Sequence, residues 1–144
     1  MTFEKTLFIT KLKIFGYGPG TYVIEYAPFQ EPENLTIITT NIGDMGNAHS
    51  EYLAALSEMG MMGLVSFIGI VVAIFFSMIT LYNKLPLSET KNRILVMGMI
   101  AATTTYFVHA FLNNFLDTDK AAVPIWAMCA MVIVMGMQNK KAVN

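Results

Sequence analysis

The stretch MMGLVSFIGIVVAIFFSMITLY, residues 61–82, carries no charged side chain. A helix needs roughly 20 apolar residues to cross the hydrocarbon core of a bilayer, within a range of about 17–25. This run has that length. Two further runs follow it. Residues 94–112 (ILVMGMIAATTTYFVHAFL) carry no charge apart from a protonated His109, and residues 121–138 (AAVPIWAMCAMVIVMGMQ) carry none. The chain is 55% hydrophobic and 13% charged, against about 25% charged in an average soluble domain. The expectation is an all-α integral membrane protein. Three transmembrane helices, at about 61–82, 93–112 and 121–138, follow an extracytoplasmic loop that contains a short helix. The domain boundary falls near residue 60, with a polar segment 1–60 and a membrane region 61–144.

Orientation follows from the basic residues. The linker 83–92 and its flank hold Lys84, Lys91 and Arg93, and the tail holds Lys140 and Lys141. Both are expected in the cytoplasm. Three spans then put residues 1–60 outside, and that segment holds three lysines and seven carboxylates. The loop 113–120 also falls outside. Tyr52 suits the outer interface, and His49, Glu58, His109, Asn113, Asn114, Asp117, Asp119 and Lys120 thus lie on or near one side of the membrane.

The net charge of −1 gives no reason to expect nucleic acid as a partner. The lone Cys129 cannot form an intrachain disulfide. Residues 1–15 lack the small-residue cleavage site of a signal peptide. Their Phe3, Leu7, Phe8, Leu12 and Phe15 instead suit a short amphipathic helix. Gly16-Tyr17-Gly18-Pro19-Gly20 cannot continue a helix and reads as a turn. Residues 21–46 read as an ordered loop, with a short strand at 35–40. Asn47 is placed to cap a helix over 48–59, which Gly60 ends or kinks.

A histidine near neutral pKa is a natural proton acceptor. His49 opens the 48–59 helix and shares a face with Tyr52, Leu53, Leu56 and Gly60. Glu58 lies on the opposite face, so His49 and Glu58 form no dyad within one straight helix. From spacing alone, a solvated or structural histidine at 49 and a helix-end glutamate at 58 remain open readings. So do a packed His109 and a merely solvated loop 113–120. The threonines 103–105 are expected to bond back to their own helix or across to a neighbour. Nothing has the spacing of a metal site.

Three groups of residues resemble one family. Ala48-His49-Ser50-Glu51-Tyr52-Leu53, followed by Glu58, Gly60 and Gly63-Leu64, resembles the AH-N/S-x-Y-L…E-x-G-x-x-G-L signature of the O-antigen ligase and O-antigen polymerase family. Gly16 to Tyr22 resembles that family's G-x-GPG-x-[FY] turn. His109 to Asp117 (HAFLNNFLD) resembles its outer loop between late membrane helices. Order and spacing agree over most of residues 14–127.

The resemblance implies a glycosyltransferase of the bacterial inner membrane. Such a multi-pass enzyme moves a glycan from undecaprenyl diphosphate to a sugar hydroxyl, on lipid A-core or a growing polymer. The segment 1–60 becomes periplasmic and the C-terminus cytoplasmic. His49 matches the general base, and Tyr52, Glu58, Asn113, Asn114, Asp117 and Lys120 would shape the substrate site. No cofactor or metal is implied. The partners are the lipid-linked donor, the acceptor and membrane lipids. Family members have about a dozen spans and outer arginines that bind the diphosphate. The only arginine here, Arg93, falls in the cytoplasmic linker, leaving Lys11, Lys13 and Lys120 as the plausible outer stand-ins. The chain therefore reads as the C-terminal part of such an enzyme, inactive by itself. Further N-terminal helices or another membrane subunit would complete it. Two other classes fit the same residues: a non-catalytic membrane scaffold packing through Gly60, Gly63, Gly69 and Gly98, and a transporter fragment with His109 in a proton path.

Overall fold

The computed structural model describes residues 14–22, 24, 50–113, 116 and 119–143. Among them the chain is all helical, with three helices: α1, Glu51–Lys84; α2, Thr90–His109; and α3, Asp119–Val143. The expected amphipathic helix at 1–15 falls largely, and the strand at 35–40 wholly, outside the described residues.

Two of the three helices are long and apolar enough to cross a membrane: Glu51–Lys84 and, within α3, Lys120–Lys140. Only 17% and 11% of their apolar windows are buried inside the chain. A soluble protein's core helix would be mostly covered by its own chain. Here Val72, Phe76, Ile133 and Val134 stand exposed instead. The helix α2 is 20 residues long but more polar, with Lys91, Asn92 and Arg93 in its first turn and three consecutive threonines. It does not reach the same standard.

As expected, the segment before Gly60 is helical and Gly60 breaks the regular backbone: α1 is two helical stretches joined across a kink there. The ends of α2 and α3 differ from the sequence expectation. The described helix opens at Glu51, with Ser50 as its cap. The Ser50 hydroxyl accepts the Leu53 amide at 3.3 Å, the usual service of an N-terminal serine. The expected cap, Asn47, lies outside the described residues. The helix α2 stops at His109 rather than Leu112, because Phe111 leaves the helix to stack elsewhere. The helix α3 runs past its apolar core into Lys140. Basic side chains there suit the negative end of the helix dipole.

The chain divides into two compact units, Met1–Ile68 with Phe111–Asn114, and Gly69–Ala110 with Phe115–Asn144. The core of the second is built from Met78, Leu81 and Leu85, from Val96 and Met99 of α2, and from Val132 of α3. On α2 the buried residues are Val96, Met99, Thr103 and Phe107, a single stripe at helical spacing. The α1 carboxyl end is closed by side chains. Arg93 Nη1 donates to the carbonyls of Tyr82 at 3.1 Å and Leu85 at 2.8 Å. Its guanidinium lies 4.2 Å from the Tyr82 ring centroid. Asn139 Nδ2 donates to the Lys84 carbonyl at 3.3 Å. A helix end leaves its last carbonyls without intrahelical donors, and these two residues supply them.

Candidate functional site

The first unit is organised around the kink in α1. Gly60 has φ 67 and ψ −160, a combination open essentially to glycine. Such a residue interrupts the i→i−4 ladder, so carbonyls just before it need other donors. They find them in the glycine-rich turn. The Tyr17 amide donates to the Ser57 carbonyl at 3.0 Å, and the Gly18 amide to the Glu58 carbonyl at 2.8 Å. Approach this close demands glycine on both sides. A Cβ on Gly60 would come within 2.5 Å of the Ile14 carbonyl oxygen, and one on Gly16 would overlap the Glu58 carbonyl. The turn itself is closed by the Thr21 hydroxyl, which donates to the Gly18 carbonyl at 2.6 Å.

An aromatic cluster stands on the first turns of α1. The Tyr52 ring stacks on Phe111, with centroids 4.2 Å apart and planes at 15°. Phe67 meets the same ring edge-on at 5.2 Å and 85°. Both faces and edge are characteristic aromatic arrangements, each worth about 0.5–1.5 kcal/mol beyond area burial. The stack brings the segment after α2 against the opening of α1.

The expected site residues are distributed as follows. Tyr52, Glu58 and Asn113 are half-buried and belong to the first unit. Tyr52 carries the stack, and Asn113 lies two residues beyond its partner Phe111. Glu58 contributes its backbone carbonyl to the glycine turn. Lys120 is exposed and belongs to the second unit. His49, Asn114 and Asp117 lie outside the described residues. His109 is exposed in the last turn of α2. Among the described residues, no group of three or more His, Cys, Asp or Glu is placed to hold a metal.

Sequence reasoning missed the docking of the turn on the kink and the roles of Phe67 and Phe111. The glycines at 16, 18 and 60 were the available signal, since each must take a positive φ or a close backbone neighbour. It also missed what Arg93 does. Compared with family models, curated proteins and solved structures, the chain matches none.

Proposed function

We propose that this chain is the C-terminal part of an O-antigen ligase-type glycosyltransferase of the bacterial inner membrane, with three spans and His49 in the periplasm. The membrane reading draws on α1 and α3, whose apolar faces are left uncovered by the chain itself. Burying such faces in lipid returns about 25 cal/mol per Å². α2 completes the third crossing in this reading, its polar first turn lying at the cytoplasmic headgroups.

The observation that carries the functional reading is the Tyr52–Phe111 stack at 4.2 Å. It favours one compartment for the His49 segment and the loop that follows α2. The docked glycine turn adds the third of the resembling motifs to the same unit. In the reaction, the His49 imidazole takes the proton of an acceptor sugar hydroxyl. The freed oxygen forms a bond to the anomeric carbon, and the bond to the diphosphate breaks. Undecaprenyl diphosphate leaves with the electron pair, and cations must stabilise its charge. Arg93 is committed to the α1 carbonyls, so those cations are Lys11, Lys13, Lys120 and side chains from further helices.

The test is His49→Ala in the protein carried with those helices. Glycan transfer is expected to vanish while membrane insertion persists. Full transfer by the variant overturns the assignment. The scaffold reading has one observation in its favour: an added side chain at Gly69 or Gly98 would meet open space, so both remain available for contact with another helix. It expects crosslinking through those positions and indifference at His49.

A further inference from the structure

Two grooves in the second unit share Asn139 and differ in charge. One, of about 510 Å³, carries Glu89, Asn92 and Gln138 among its polar lining and, among the described residues, no cation. The other, of about 760 Å³, carries Lys84 and Lys140 and, among the described residues, no carboxylate. Its apolar lining includes Leu81, Ile133 and Met137. Gly136 also lines it, and a Cβ built there meets nothing within 4 Å. The glycine therefore leaves a notch in the groove rather than a close helix contact. Asn139 ties α3 to the Lys84 carbonyl, and Lys84 and Lys140 both line this groove. Arg93 and Asn139 already satisfy the terminal carbonyls of α1. The ammonium groups are thus not needed to cap that helix.

We propose that this groove seats an anionic phospholipid, with the phosphate diester between Lys84 and Lys140 and an acyl chain along Leu81, Ile133 and Met137, over Gly136. Basic pockets between membrane helices on the cytoplasmic side suit such headgroups. The charge contrast between the grooves sets the selectivity. A phosphate in the neighbouring groove would face Glu89, whereas the cation of a zwitterionic lipid would find no carboxylate beside Lys84 and Lys140. The inference rests on the membrane-spanning reading and not on glycan transfer.

The test is native mass spectrometry of the full chain in micelles titrated with phosphatidylglycerol or phosphatidylcholine. At about fivefold per lysine, phosphatidylglycerol is expected to bind about 25-fold more tightly. Lys84→Gln with Lys140→Gln should bring the ratio near one. Gly136→Leu, which fills open space, should weaken retention of both lipids with helix content unchanged. Lys91→Gln, outside both grooves, should leave the ratio as it was. Equal binding of the two lipids overturns the proposal. So does an equal loss with Lys91→Gln, displacement of the lipid by inorganic phosphate, or a second copy of the chain that keeps both lipids out. Alkaline carbonate extraction separates the two readings. A chain released by carbonate ends the membrane reading and the lipid seat together. A chain that stays in the membrane without lipid preference ends the seat alone.

Discussion

The two ends of α1 are held by different atoms. Near its start, backbone meets backbone: the amides of Tyr17 and Gly18 donate to the carbonyls of Ser57 and Glu58, and glycine is required on both surfaces. At its carboxyl end, side chains make the contacts, with Arg93 Nη1 and the Asn139 amide donating to the carbonyls of Tyr82, Leu85 and Lys84. Each arrangement supplies donors to carbonyls that a regular helix would leave or lose. The lesson concerns tolerance. A backbone contact has no side chain to trim, so any added atom is a collision. A side-chain contact degrades in steps, as donors are removed one at a time.

Gly60→Ala tests the first half of that contrast and has the largest expected effect. Strain at φ 67 and ψ −160 costs of order 1–3 kcal/mol, before the clash with the Ile14 carbonyl is counted. Thermal unfolding in micelles should show the loss, together with faster proteolysis of the segment around Gly16. An unchanged melting temperature would mean that the turn does not dock on the kink.

Arg93→Ala probes the other half. Hydrogen bonds to charged groups are worth about 1.5–3 kcal/mol each when buried, and this guanidinium is only half-buried. A loss of about 2 kcal/mol is expected in the same assay. Arg93→Lys should recover part of it, because an ammonium can still donate to the carbonyls but lacks the planar guanidinium that lies over the Tyr82 ring. Equal losses in both variants would assign the effect to the Tyr82 ring contact rather than to the carbonyl hydrogen bonds.

Tyr52 sharpens the comparison at the aromatic cluster. Tyr52→Ala should cost about 1–3 kcal/mol, through lost burial and the two ring pairs. Tyr52→Phe keeps the rings and should cost less than Tyr52→Ala. Glycan transfer measured beside stability then separates a packing role from a contact with substrate. If Tyr52→Phe folds normally and loses transfer, the hydroxyl acts on the substrate.

The smallest effect is expected at Thr103. Its Oγ1 is buried without a hydrogen-bond partner among the described residues, while Thr104 and Thr105 bond back to Ile100 and Ala101. An unsatisfied buried hydroxyl gives nothing in return for its desolvation. Thr103→Val should therefore be neutral, or stabilising by up to about 1 kcal/mol. A clear destabilisation would show that the hydroxyl has a partner in the assembled protein.

Much of this was legible in the sequence because it depends on local composition. The charge-free run at 61–82 specified a long apolar helix without reference to any neighbour, and the run at 121–138 did the same for α3. The Gly16–Gly20 turn was equally legible, since three glycines around a proline leave few other conformations. The choice between ending and kinking at Gly60 was not. Both outcomes suit a glycine with positive φ, and the decision rests on donors 40 positions upstream. The candidate site was legible only as residue types. Tyr52 and Asn113 were named, but Phe111, which connects their segments, was read as part of a membrane helix.

The sequence alone determined which segments are apolar, where their charges stop, and where a regular helix must be interrupted, because each is set by side chains within a few residues of one another. Tertiary structure decided which partners those interruptions take: the glycine turn for the carbonyls before Gly60, Arg93 and Asn139 for the end of α1, and Phe111 for Tyr52. Unpaired carbonyls and bare ring faces announce that something must cover them. Their partners come from distant stretches of chain, and only folding selects which one arrives.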